Sequence, residues 1–459
     1  MTRPSIPKGT RDFTPAEMVR RNYIFATIRK IFELFGYQPI ETPALENLST
    51  LLGKYGEEGD KLLFKILNSG NYLEGIQNAF PDGEEAFSPA SVKALTLLIT
   101  EKGLRYDLTV PFARFVVQHQ HELTFPFKRY QIQPVWRADR PQKGRYREFF
   151  QCDVDVIGSS SLLNEAELIQ IIDQVFLALG ISVSIRVNNR KILSGIAEAV
   201  GASGQLTDLT TAMDKLDKVG LEKVLEELLS RGLSPESVEK TAALLQWQGS
   251  QEELPVMLTE FLRDSVTGQK GLQEMAEVTE MAKACGLKNP LLFDLKLARG
   301  LNYYTGTILE VSSRDVEIGS ICGGGRYDDL TGIFGWEGVS GVGISFGADR
   351  IFDVMAALNL FPEEMASATH ALFINFGEKE VRHCIQWASR LRDAGISTEI
   401  YPDPAKLKKQ MEYAHRKNIP YVILAGEDEI RSGFVSLKKM KTGEQINLSP
   451  DLLTDHLRP

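Results

Sequence analysis

A chain of 459 residues exceeds what one hydrophobic core normally serves, so two or three domains are expected; 43% hydrophobic and 25% charged residues exclude a disordered chain. The longest apolar stretches, such as Ile169 to Leu179, are broken by Gln and Asp and fall short of the roughly 20 residues a spanning helix needs. The opening MTRPSIPKGTRDF lacks the apolar core of a secretory signal, so a cytoplasmic location away from membranes is expected. A net charge of −9 does not point to a nucleic-acid binder, and phosphate contacts would have to come from local cations.

In chain order, Thr14, Pro15 and Glu17 form a capping box that starts a helix, and Gly36 ends it. Within it Ile24, Ile28, Ile31 and Phe32 recur at helical spacing and predict a buried face. Residues 37 to 43 read as a Pro-bounded edge segment, and Asn68 to Ser91 as a loop or small insertion. Short apolar and aromatic runs from Gly103 to Gly158 predict an antiparallel sheet. A helix from Leu162 to Leu179 and a strand through Ile181, Val183, Ile185 and Val187 follow. Residues 191 to 288 are helical and poor in aromatics, consistent with an inserted module, and strand-like text resumes at Leu301.

Beyond a linker at Pro362 to Ser367, the segments 371–376, 397–401 and 421–426 alternate with two helices, one ending at Ala394 and one spanning Pro404 to Lys417. That β-α-β-α-β order predicts a separate α/β domain. Its cations Lys406, Lys408, Lys409, Arg416, Lys417, Lys438, Lys439 and Lys441 suit either phosphate contact or a solvated helix face and a charged edge strand. The cysteines Cys152, Cys285, Cys322 and Cys384 share no CxxC spacing and are expected to be reduced and buried.

Chemistry concentrates around arginines. In residues 135–156 many cations precede a strand whose alternation puts Phe149, Gln151, Asp153 and Asp155 on one face, an odd mixture for a core. Arg299 stands in ARGLNYYTG, and Arg350 opens a helix after the glycine-rich GVGISFG. Gly343, Ser345 and Gly347 also match the GxSxG elbow of a serine hydrolase, but no oxyanion loop precedes the serine. His119, His121 and Glu122 are a conceivable metal set that reads better as an ordinary helix end, so no metal site is expected. Neither a Walker A sequence nor a GxGxxG after a strand is present.

Together LRYDLTVPFAR (104–114), RPQKGRYREF (140–149), ARGLNYYTG (298–306) and GGGRYDDL (323–330) resemble, in content and order, the class II aminoacyl-tRNA synthetases and specifically the histidyl-tRNA synthetase family. The resemblance implies ATP-dependent activation of L-histidine and its transfer to histidine tRNA, with Mg2+ accompanying ATP, by a homodimer. It implies an α+β fold: an antiparallel-sheet catalytic domain in two parts (1–190 and 289–362), a helical insertion (191–288) and a C-terminal α/β anticodon-binding domain (368–459).

By the same resemblance Arg137 holds the ATP α-phosphate and the histidine carboxylate, Arg145 the γ-phosphate, Phe149 the adenine, and Arg350 the adenine's other side and the γ-phosphate. Arg299 matches the family's catalytic arginine, which like Arg137 also serves histidine. Asp107, Thr109 and Gln151 match holders of the α-amino group, and Asp155, Tyr303 and Tyr304 belong to the histidine pocket, Asp155 and Tyr304 as readers of the imidazole. The chain departs from the usual pattern at Asp139, Asp155 and Asn302, where many relatives have Glu, Glu and Asp. A catalytically silent regulatory paralogue would lack the C-terminal domain and erode these segments.

Overall fold

In the computed structural model, which describes residues 3–72, 89–298, 303–362 and 369–458, period-two patterning shapes the main sheet. The chain forms two units, Met1–Arg11 with Ile24–Leu360 and Asp12–Tyr23 with Phe361–Pro459. In the first, the strands β1 (Gln38–Pro39), β5 (Phe127–Trp136), β6 (Glu148–Ile157), β7 (Val183–Asn189), β8 (Leu291–Phe293), β9 (Thr307–Ser313), β10 (Cys322–Tyr327) and β11 (Gly341–Gly347) make one sheet, ordered β1-β5-β6-β11-β10-β9-β7-β8. Only the outermost pairs, β1 with β5 and β8 with β7, are parallel. A small sheet of β2 (Leu45–Asn47), β3 (Lys65–Ile66) and β4 (Lys102–Leu104) has β4 at its centre.

Alternation divides the main sheet into an apolar back and a polar front. Val154 lies opposite Ile344, and Cys152 opposite Phe346; all four are buried. Phe346 meets Phe32 of the first helix (Pro15–Leu34) and Phe176 of the helix Leu163–Ala178, with ring centroids 5.8 and 5.6 Å away. The intervening residues face the other way, pairing Gln151 with Gly347, Asp153 with Ser345 and Asp155 with Gly343. The back also carries a buried ion pair, Arg326 Nε lying 2.6 Å from Glu165 Oε1, and a more open one, Lys128 Nζ 2.7 Å from Glu167 Oε1.

The capping box at Thr14 is present: its backbone N–H and hydroxyl both reach Glu17 Oε2, at 2.7 and 2.6 Å. Between β4 and β5, where a continuous antiparallel sheet is expected, the chain instead forms the helix Thr109–Gln118. Asp107 accepts the Val110 N–H at 3.2 Å in the first turn, and Val110, Phe112, Ala113 and Val116 are buried. The expected insertion at Asn68 to Ser91 falls largely outside the described residues, as do the linker and Leu301. Beyond β7 come helices from Arg190–Ala199 to Val266–Ala284, the latter's Ser265 accepting the Gly268 N–H at 2.9 Å as an N-cap.

In the second unit β12 (Ala371–Phe373), β13 (Thr398–Ile400) and β14 (Tyr421–Leu424) are parallel and alternate with the helices Glu378–Asp393 and Leu407–Arg416. Two further strands, β15 (Val435–Lys439) and β16 (Gln445–Leu448), add antiparallel to give β13-β12-β14-β15-β16. Lys438 and Lys439 therefore do not lie on an edge strand: β16 covers β15. Cys152, Cys322 and Cys384 are buried as expected; Cys285 is exposed, because it caps the end of Val266–Ala284.

Candidate active site

The hairpin β5–β6 carries its connecting loop over the front of the sheet. Gly144 turns that loop at φ +71°, and its carbonyl accepts from Arg350 Nε at 2.6 Å. Arg350 Nη1 also donates to Ser320 O at 2.5 Å, so two chain segments hold the guanidinium. Arg137, just after β5, donates to Tyr106 O at 3.0 Å, with its guanidinium carbon 4.2 Å from the Tyr106 ring centroid and 5.2 Å from that of Phe149. Arg145 is half exposed, 3.7 Å from Asp139.

These groups line a cavity of about 470 Å³ together with Phe149, Gln151, Ser345 and Asp349, a size suited to a small ligand. Its electrostatics are unbalanced. Burial, then the positive charges of Arg145 and Arg137, lower the Arg350 pKa. Asp349 is engaged elsewhere: it pairs with Arg11 and accepts the Phe150 N–H at 2.8 Å. Gln151 Nε2 donates to Ser345 Oγ at 2.8 Å, and its buried Oε1 has no partner.

Asp107, Thr109, Asp155, Tyr303 and Tyr304 are not among the residues lining this cavity. They form a cluster on the same face of the sheet in which Asp107 and Asp155 are buried and Thr109, Tyr303 and Tyr304 half-buried. Asp107 Oδ1 accepts from Tyr55 at 3.0 Å and Oδ2 from Tyr303 at 3.4 Å. Thr109 is a further hydrogen-bond partner of the Tyr303 hydroxyl. Tyr303 sets its ring centroid 5.0 Å from Tyr304 and 6.2 Å from Tyr327. Tyr327 in turn donates to Asp155 Oδ1 at 2.6 Å, and Arg129 Nη2 stands 2.7 Å from Asp155 Oδ2.

Burial raises the pKa of Asp107, opposed by the Val110 N–H and Arg137, and that of Asp155, opposed by Arg129 and Tyr327. Asp153 is pushed up to about 7, by burial and by Asp155 against the pull of Arg129. Burial also raises the Tyr304 hydroxyl, and Asp107 and Asp155 add to the shift. Arg299 lies outside the described residues.

Sequence reasoning missed Tyr55, Tyr106, Arg129 and Tyr327 as site residues. Arg129 had a signal, since it sits on a strand facing two acids, whereas Tyr55 had none. His119 and Glu122 merely pair with each other at 3.1 Å, and among the described residues no group of three potential metal ligands occurs.

The sequence signature of histidyl-tRNA synthetases matches residues 9–75 and 100–351. The chain belongs to the histidyl-tRNA synthetase family. An anticodon-binding-domain signature matches residues 370–458. The histidine–tRNA ligase of Phocaeicola vulgatus is 58% identical over 98% of both chains, and that of Bacteroides fragilis 59% over 96% of both. The crystal structure of histidyl-tRNA synthetase from Nostoc sp. PCC 7120 superposes with a TM-score of 0.83 at 30% identity, covering 100% of this chain and 99% of that one. The class II α+β fold with an anticodon-binding C-terminal domain follows, and so does the ligase activity that these full-length relatives are named for.

Proposed function

We propose that the cation-lined cavity takes the triphosphate and adenine of ATP while the adjoining carboxylate cluster takes histidine, so that histidyl-adenylate forms where the two meet, at Arg137. The observation that carries this reading is the convergence of Arg137 and Arg145, from the β5–β6 loop, with Arg350, 206 residues beyond Gly144 of that loop, on one cavity without a matching set of acids. A triphosphate supplies the missing negative charge. Arg137 binds the α-phosphate and the histidine carboxylate, Arg145 and Arg350 the γ-phosphate, and Phe149 and Arg350 flank the adenine.

Histidine's carboxylate is already ionised, so the step needs no general base. It needs in-line positioning and neutralisation of charge on the phosphoryl oxygens, and guanidinium groups stay charged and can fork onto two oxygens. Arg299 is the further arginine of this step, assigned by resemblance. Mg2+ comes with the nucleotide, as is usual for an ion that keeps its waters and binds through phosphates; Asp139 and Asp349 are the carboxylates lining the cavity.

On the histidine side Asp107, Thr109 and Gln151 hold the α-ammonium, and Asp155, with Tyr303 and Tyr304, reads the imidazole. Such buried polar partners reject an analogue that cannot satisfy them. A serine hydrolase is not favoured: Ser345 is hydrogen-bonded to Gln151, and among the described residues no histidine lines the cavity. Nor is the silent regulatory paralogue, since the C-terminal domain and the arginine-bearing segments are both intact.

Residues 1–190 and 289–362 form the catalytic domain around the insertion 191–288, and 368–459 bind tRNA through Lys406, Lys408 and Lys409, all exposed. A homodimer belongs to the same reading: Leu45, Leu67, Val92, Leu97 and Leu98, 45–50% exposed, give the region of the small sheet an apolar surface. Among the described residues no helix is long and apolar enough to cross a membrane.

Pyrophosphate exchange into ATP, measured with each amino acid in turn, tests the assignment. Exchange with histidine alone is expected; exchange that ignores histidine would refute it.

A further inference from the structure

Gly343, Ser345 and Gly347 match a hydrolase motif, yet the structure gives them different neighbours. On β11 they face Asp155, Asp153 and Gln151 respectively across the pairing with β6, all on the polar front of the sheet. Ser345 Oγ accepts from Gln151 Nε2 at 2.8 Å, and the carboxylate opposite it across the strand pair is that of Asp153, whose Oδ1 is buried without a hydrogen-bond partner. Gln151 Oε1 is buried, faces no protein donor, and belongs to a residue lining the cavity.

The polarity of this row can be worked out from donor and acceptor capacity. An ionised carboxylate only accepts, so Asp153 takes the single Ser345 proton. The serine oxygen is then left as an acceptor and can be met only by the amide nitrogen of Gln151. An amide whose nitrogen is so engaged turns its oxygen the other way. Without the serine, the two ends of the Gln151 amide are nearly equivalent in shape, and nothing selects between them.

We propose that Ser345 is a positioning residue: by passing the acceptor character of Asp153 to Gln151, it holds the Gln151 carbonyl oxygen toward the cavity, where it receives the α-ammonium group of histidine. The inference rests on the assignment of Gln151 to the α-amino group. It explains the unpartnered oxygen, which substrate satisfies, and the serine between two glycines, a side chain just large enough to carry one hydroxyl between the strands. Asp153 is pushed up to about 7, by burial first, with Arg129 opposing and Asp155 and Asp107 adding to the shift; pH 8 therefore keeps it in the acceptor-only form.

The test is histidine-dependent pyrophosphate exchange at pH 8 by the full chain carrying Ser345→Ala, Ser345→Thr, Ser345→Val or Gln151→Ala, with imidazole-4-propionate, which is histidine without its amino group, as a competing ligand. Ser345→Ala is expected to raise KM for histidine about tenfold, the scale of one hydrogen bond. KM for ATP and inhibition by imidazole-4-propionate stay at the wild-type level. Threonine and valine are nearly the same shape, so Ser345→Thr should keep the low KM and Ser345→Val should lose it. The inference is overturned if Ser345→Ala leaves KM for histidine unchanged, if imidazole-4-propionate weakens in parallel, or if the threonine and valine variants behave alike. A raised KM in Gln151→Ala with none in Ser345→Ala removes the role of the serine alone. No rise in Gln151→Ala removes the assignment of Gln151, and the inference with it.

Discussion

The cavity beneath Arg137, Arg145 and Arg350 and the carboxylate cluster beside it share one face of one sheet, yet they are opposites. The first is open and short of negative charge; the second is half-buried and holds Asp107, Asp153 and Asp155 with pKa values raised by burial. Under the proposed function each is electrostatically incomplete in the direction its substrate would correct, a polyanion in one case and an ammonium with an imidazole in the other. An unpaired buried charge is costly, so on that proposal both substrates would be recognised partly by the imbalance they relieve.

The largest expected effect breaks the open end. Arg137→Ala should lower kcat/KM for histidine-dependent exchange by about 10² to 10³, the scale of losing one preorganised donor at a developing charge. Arg137→Lys should recover only part, because a point charge cannot fork onto two oxygens. Full activity in Arg137→Lys, read from the same exchange kinetics, would show that charge alone suffices there.

A smaller effect sharpens the half-buried end. Asp153 has an ordinary value of 3.8 and is pushed up to about 7 in the fold. Between those values the native state holds a proton that the unfolded chain has lost, so this group's contribution to stability is present at low pH and fades as pH rises to about 7. Asp153→Asn has no such loss. Its stability relative to wild type should therefore increase from pH 5 to pH 8, on the order of 1 to 3 kcal/mol, measured by urea unfolding at both pH values. A relative stability that is flat or falls with pH would show that Asp153 is already ionised at pH 5.

The smallest effect on the chemistry comes from a cation cluster that is neither buried nor strained. Replacing Lys406, Lys408 and Lys409 together by alanine should leave pyrophosphate exchange unchanged. It should weaken tRNA binding, and reduce the slope of log affinity against log salt by about 2 to 3. Filter binding across a salt series reads both; an unaltered slope would move tRNA contact elsewhere.

What could be read from sequence follows the same division. Local patterns were legible: the capping box at Thr14, the alternation that puts Gln151, Asp153 and Asp155 on one face, and the strand–helix rhythm after residue 370. The helix Thr109–Gln118 was not, because its β-branched and aromatic residues have strand preferences, and only burial of one face together with Asp107 at its start makes it helical. Long-range contacts were legible only through family resemblance: Arg350 meets Gly144 from 206 residues away and Tyr303 meets Asp107 from 196. Nothing local marks Tyr55 as the partner of Asp107, and β16, a short and polar run, carries too little apolar signal to show that the lysine-bearing strand β15 is covered and not an edge.

Opposite Asp155 stands Gly343, where a Cβ atom would come within 1.8 Å of the carboxylate oxygen. Any side chain at 343 would therefore displace the acid at 155, so the order of change is fixed: a substitution at 343 can follow one at 155 but cannot precede it.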